Sequence, residues 1–295
     1  MIWLIGNKGM LGTELALLLE QEGLPYIGTD RELSILDPAA LRDFARGKNI
    51  TWIVNCAAYT AVDKAEDDVE LCTALNAVGP ENLGSLAASI GASVLHISTD
   101  YVFSGSPHLE EGLPRPYRED DPVAPTGVYG KTKAEGEARL RSACANSIIL
   151  RTAWLYGKHG PNFVSTMLRL MKERERIGVV ADQKGSPTWA HDLAGAIITI
   201  VRTAKPAYGI YHYTDLGETT WYDFAREIHR LGRRYGILER DCEITPLTTA
   251  QYPTKARRPA YSVLSKERIM ADYHLAIPAW QESLEHFIQL IAQQT

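Results

Sequence analysis

The chain has 295 residues, 45% of them hydrophobic and 23% charged, with a formal net charge of −5 at pH 7. That length and balance suit a globular protein of one or two domains with a large core. They argue against a nucleic-acid partner held by a basic surface, and no apolar run is long enough for a membrane span.

Met1-Ile2-Trp3-Leu4-Ile5 is a short apolar run, the pattern of a buried strand rather than of a leader peptide. Gly6-Asn7-Lys8-Gly9-Met10-Leu11-Gly12 follows, then an amphipathic helix over 13–22 with Leu15, Leu18 and Leu19 on one face. Strand, glycine turn and helix is the context of a dinucleotide site, where backbone approaches a pyrophosphate and the helix N-terminus faces it. The spacing is GxxGxxG, a partial match to the usual fingerprint. A second strand over 24–29 ends at Asp30, whose carboxylate suits the ribose hydroxyls of NAD; Arg31 suits a 2′-phosphate, so NADH and NADPH both stay open. Further strands are predicted over 51–55, 92–98 and 147–152, with helical patterns between them. The alternation predicts an α/β fold with a doubly wound, Rossmann-type parallel sheet.

The predicted strand over 92–98 runs into Ser98-Thr99-Asp100-Tyr101-Val102-Phe103. Hydroxyls at the carboxyl end of a parallel strand are where open α/β sheets meet ligands, so Thr99 is a candidate for a substrate oxygen. Residues 104–125 are rich in proline, glycine and charge and read as a long functional loop. Beyond it lies Val128-Tyr129-Gly130-Lys131-Thr132-Lys133. Tyr129 and Lys133, four apart on a helix, share one face. A cation beside a phenol favours the phenolate and lowers its pKa, so Tyr129 is expected to be an acidified proton donor. Residues 190–202 return to an apolar helical pattern. The stretch Lys255-Ala256-Arg257-Arg258-Pro259 is a basic patch in an acidic chain, and its guanidinium forks match phosphate oxygens. The four cysteines lie far apart, without a CxxC pair, which suits reduced thiols in a cytoplasm and neither a disulfide framework nor a zinc site. Residues 1–155 with about 190–213 are expected to form the nucleotide-binding domain, and about 156–189 with 214–295 a smaller substrate lobe.

These motifs together resemble the extended short-chain dehydrogenase/reductases, and within them the dTDP-4-dehydrorhamnose reductase family. The resemblance runs almost end to end. It is carried by residues 6–12, Asn55-Cys56-Ala57-Ala58-Tyr59-Thr60-Ala61-Val62-Asp63-Lys64-Ala65-Glu66, Leu75-Asn76-Ala77, residues 98–103 and 128–133, the stretch around Trp154, Asn162-Phe163-Val164, and Asp182-Gln183-Lys184-Gly185-Ser186-Pro187-Thr188. It implies an NADH- or NADPH-dependent reduction of a dTDP-linked 4-keto sugar. Tyr129, Lys133, Thr99 and Asn76 would form the catalytic set. Gly6, Lys8, Gly9, Met10, Leu11, Gly12, Asp30, Arg31, Ala57, Ala58, Tyr59 and Thr60, with Tyr129 and Lys133, would hold the cofactor. Thr99, Asp100, Val102, Phe103, Trp154, Asn162, Phe163, Gln183 and Arg258 would hold the sugar nucleotide. Three departures stand out: Cys56 replaces an alanine, Ser34 an aspartate, and His191-Asp192 occupies the place of a glutamate that, with Glu14, binds magnesium at a dimer contact in some relatives. No metal is expected, and homodimerisation is left open. Two alternatives remain: a reductase of another nucleotide-linked keto-deoxysugar, and a non-catalytic NAD(P)-binding subunit such as the methionine adenosyltransferase β subunit, which resembles the same family.

Overall fold

The computed structural model describes residues 1–293. Six strands form one sheet: β1 (Ile2–Ile5), β2 (Tyr26–Thr29), β3 (Trp52–Asn55), β4 (Ser93–Thr99), β5 (Ser147–Thr152) and β6 (Gly209–His212). Their order is β6-β5-β4-β3-β1-β2, and every pairing is parallel. Strands β1, β3 and β5 are buried at every residue, as a sheet covered on both faces requires.

Side chains along each strand alternate between two cores. Leu4, Val54, Leu95 and Leu150 face one core, closed by helices Met10–Gln21 and Ala190–Arg202. Trp3, Ile5, Ile53, Val94 and Ile149 face the other, closed by Pro38–Ala45, Gly79–Ile90 and Val128–Ala143. A third core lies off the sheet. It is built from helices Phe163–Glu173, Trp221–Arg234 and Trp280–Ala292 and from the parallel pair Arg176–Val180 and Glu243–Leu247. No helix among the described residues is long and apolar enough to cross a membrane.

The chain leaves β1 to β2 on one side and later to β3 on the other, so the crevice at the carboxyl ends of β1 and β3 is the switch point where such sheets bind ligands. Three expectations need correction. The helix after the glycine turn starts at Met10, not at residue 13, because Gly9 already occupies the N-cap; Met10, Leu11 and Gly12 are therefore its first turn. Strand β4 runs through Thr99, so that hydroxyl sits on the strand's last residue. Strand β6 was not anticipated: four residues carry too little periodicity, and it is recruited by pairing with β5. The loop over 104–125 contains a small hairpin, His108–Glu110 with Leu113–Arg115.

Candidate active site

The glycine turn fits a dinucleotide. Gly6 has φ of +77°, and a Cβ there would lie 2.8 Å from the Ala57 backbone nitrogen. A Cβ on Gly12 would lie 2.0 Å from the Gly6 carbonyl oxygen. Both glycines let the turn lie flat between β1 and the loop after β3. The helix N-terminus beyond it has no side-chain cap and no acidic residue in its first turn, so its N–H groups and positive dipole end are free for a pyrophosphate. Asp30 closes the turn from the β2 side: its carboxylate accepts the Lys8 N–H at 3.1 Å and the Arg31 N–H at 2.8 Å. Lys8 Nζ pairs with Glu32 at 3.1 Å, while the Arg31 side chain is exposed. Ala57 and Ala58 are half-buried beside the turn and Thr60 is exposed. Tyr59 is pinned by Asn76, whose Oδ1 accepts the Tyr59 N–H at 2.8 Å and whose Nδ2 donates to the Tyr59 carbonyl at 3.1 Å. Asn76 sits in a π-helical turn over 74–78, a local irregularity frequent at functional sites.

Tyr129 and Thr99 meet at the carboxyl end of β4. Glu66 anchors the start of the Tyr129 helix by accepting the Val128 N–H at 2.9 Å. The Tyr129 ring packs edge-on against Tyr101, centroids 5.5 Å apart. Burial pushes the phenol above its ordinary range, and a hydrogen bond with the Thr99 side chain draws it partly back. Lys133 is buried on the same helix. Its Nζ donates to the Ile97 carbonyl at 2.6 Å and faces His96 Nε2 at 3.2 Å. Desolvation pulls its pKa down to about 8. The expectation of a phenol acidified by Lys133 is therefore corrected: among the described residues no hydrogen bond joins Nζ to the phenol, and burial sets the direction of its shift. A raised pKa keeps the phenol protonated at neutral pH, the form an acid must have. Asp100, beside Thr99, is buried and its carboxyl is pushed up to about 6; its Oδ1 accepts the Thr99 hydroxyl at 2.9 Å.

The remaining expected residues divide into two groups. Val102 and Phe103 face inward in a small core, with Phe103 stacked on Tyr117 at 4.2 Å, so their side chains support the site from behind. Asn162 caps helix Phe163–Glu173, and its amide nitrogen donates to the Gly157 and Gly160 carbonyls. The second group lies on the open side. Trp154, at φ +49°, stacks on Trp221 with centroids 3.5 Å apart, and Phe163 packs on the same indole at 4.5 Å. Arg258 donates to the Tyr101 hydroxyl at 3.0 Å and forms an ion pair with Asp63. Gln183 is buried and donates to Thr249 at 3.0 Å. A cavity of about 500 Å³ opens beside Arg258, with Ser104, Ser106, Thr249 and Arg257 also in its wall. Lys255 is paired with Asp67. Arg257 is exposed and makes no ion pair among the described residues. Sequence reasoning missed Tyr101, His96, Asp63 and Trp221. Asp63 and Tyr101 stood within the quoted motifs, but nothing local showed that they would meet Arg258.

Comparison with known proteins supports the same reading. The family model described as the RmlD substrate binding domain matches residues 1–293. The dTDP-4-dehydrorhamnose reductase of Escherichia coli K12 is 39% identical over 97% of this chain and 96% of its own. A probable dTDP-4,6-dihydroxy-2-methyloxan-3-one 4-ketoreductase of Streptomyces antibioticus is 40% identical over 100% of this chain and 97% of its own. Among solved structures, the dTDP-4-dehydrorhamnose reductase of Bacillus anthracis in complex with NADP superposes with a TM-score of 0.89 at 36% identity, covering 97% of each chain. The Clostridium acetobutylicum reductase gives 0.90 at 40% identity, covering 98% and 99%. The chain belongs to the RmlD family of dTDP-4-dehydrorhamnose reductases.

Proposed function

We propose that this chain reduces the 4-keto group of dTDP-4-dehydro-L-rhamnose to give dTDP-L-rhamnose. The hydride comes from NADPH or NADH, held at Gly6 to Gly12 with Asp30 and Arg31 at the adenosine ribose. Tyr129 Oη gives its proton to the sugar O4 as hydride adds to C4, and solvent later restores that proton. Thr99 orients the phenol and the keto oxygen. Lys133 supplies positive charge behind the phenolate as it forms. Asn76 holds the Tyr59 loop against the cofactor side of the crevice. The Trp154–Trp221 stack borders the sugar, and Arg257 with Arg258 meets the pyrophosphate at the cavity mouth. The division into a nucleotide-binding domain and a substrate lobe belongs to this reading, with the off-sheet core as the lobe. Four unpaired cysteines suit a cytoplasmic setting.

The observation that carries the reading is the meeting of Tyr129 with Thr99 at the sheet's carboxyl edge, with Lys133 buried one turn further along the Tyr129 helix, beside a glycine turn that admits a dinucleotide. The test is to follow NADPH absorbance with dTDP-4-dehydro-L-rhamnose. Tyr129→Phe is expected to lower kcat about 100- to 10,000-fold, the range of general acid catalysis, with cofactor affinity nearly unchanged. Undiminished turnover in that variant would reject the role. The Streptomyces antibioticus relative favours a second reading, reduction of a different dTDP-linked keto-deoxysugar; turnover of that sugar alone would select it. Binding of both ligands without turnover would instead indicate a regulatory subunit.

A further inference from the structure

His96 has no part in the chemistry above, yet this titratable ring is buried directly behind Lys133. The sheet register sets it opposite Asn55 of β3. The Asn55 amide is oriented by its own loop, because its Oδ1 accepts the Ala57 N–H at 3.0 Å. Its nitrogen therefore faces His96 Nδ1, at 3.0 Å. An amide NH2 can only donate, so Nδ1 must accept. A neutral imidazole then carries its single proton on Nε2. Burial and the Lys133 charge hold this ring's pKa well below the ordinary histidine value, so the ring is neutral. Nε2 lies 3.2 Å from Lys133 Nζ, whose other bond goes to the Ile97 carbonyl. An ammonium has donors and no acceptor. Two donors thus confront each other unless Nζ gives up a proton and accepts the one on Nε2.

We propose that His96, locked by Asn55 as the Nε2–H tautomer, is a positioning residue that holds Lys133 Nζ and destabilises its ammonium, so that Lys133 carries its charge at neutral pH and gives it up at mildly alkaline pH. Burial is the largest influence on Nζ and favours the neutral amine, while Glu137 on its own helix, Cys72 and Cys56 favour the charged form and the Ile97 carbonyl accepts from Nζ in either form. Glu137 is in turn engaged by Arg151 at 2.7 Å. Beside burial, His96 is, among the described residues, the one polar group in hydrogen-bond reach of Nζ that opposes them. The tautomer and the titration do not depend on the assigned reaction; only their kinetic consequence rests on the function proposed above.

The test uses the whole protein in solution. Nitrogen-15 spectra of the histidine side chains should show His96 protonated on Nε2 and bare on Nδ1 from pH 7 to 9. Carbon-13 labelling at lysine Cε, with Lys133→Met to assign the signal, should give a Lys133 titration near the value of about 8 set by its burial. His96→Gln offers a carbonyl to Nζ and should move that midpoint up by about one pH unit. The alkaline limb of the kcat/KM profile should move with it. A histidine that only fills space would lower Tm and leave the Lys133 midpoint in place. An unmoved midpoint in folded His96→Gln, or an Nδ1–H tautomer in the wild type, overturns the proposal. If His96→Gln does not fold, the wild-type tautomer decides alone. A wild type with no turnover of dTDP-linked keto sugars would refute the assigned reaction and leave the tautomer result standing.

Discussion

Lys133 sits where its charge is hardest to keep. Its pKa falls from the ordinary 10.5 to about 8 because burial disfavours the ammonium. A depressed folded pKa means that its favourable contribution is complete above the unfolded value of 10.5 and is lost as pH falls through about 8. At pH 7 the charged lysine therefore strains the fold. Lys133→Met removes that strain together with the bond to the Ile97 carbonyl. The net expectation is a gain of about 2 kcal/mol, measured by denaturant unfolding at pH 7 and shrinking toward pH 10, while turnover collapses. Activity and stability pull apart at such sites. Arg31 poses a different question, that of cofactor choice. Its side chain is exposed beside Asp30, whose carboxylate is already held by two backbone N–H groups. Arg31→Ala is expected to raise KM for NADPH about tenfold and to change KM for NADH little. Equal effects on both cofactors would show that Arg31 does not read the 2′-phosphate.

At the scale of elements, the Tyr129 helix is fixed to the sheet by one buried cluster. Arg151 of β5 reaches Glu137 with Nη2 at 2.7 Å and Nε at 2.9 Å, and Ser98 of β4 donates to the same carboxylate at 2.5 Å. Arg151 also faces His212 of β6 at 3.5 Å. Strands β4, β5 and β6 and the Tyr129 helix thereby share one polar joint. Breaking a buried pair strands a charge, at a cost of about 3–5 kcal/mol. Glu137→Gln should lose stability of that order in urea unfolding and lower kcat as well, since Tyr129 rides on the same helix. What was legible beforehand follows the range of each interaction. The Tyr129 and Lys133 pair, the glycine turn and the strand ending in Thr99 are local patterns, and the chain carries them in consecutive residues. The Asp63–Arg258 pair joins residues 195 apart, and no periodicity signals it. The upward shift of the phenol was invisible for the same reason, since desolvation depends on everything that packs around the ring.

At the scale of the molecule, the glycine turn and the cavity walled by Arg257 and Arg258 are built from separate stretches of chain, and ligands at the two should report separately. A ligand that binds only the folded state adds about 2.7 kcal/mol at a concentration 100 times its Kd. On the proposed reading NADPH would contact the glycine turn and thymidine diphosphate the cavity with Arg257 and Arg258 in its wall, so each is expected to raise Tm. Arg258 is tied to Asp63 and Tyr101, whereas Arg257 carries no ion pair among the described residues. Arg257 is thus the guanidinium that can meet a phosphate without first breaking a contact. Losing a charge-assisted hydrogen bond costs about 1.5–3 kcal/mol, or roughly a tenfold to hundredfold fall in affinity. Arg257→Ala should therefore remove most of the thermal shift from thymidine diphosphate and leave the shift from NADPH intact. A nucleotide shift that survives the substitution would move the pyrophosphate away from this arginine; loss of both shifts would mean that the variant had damaged the shared framework.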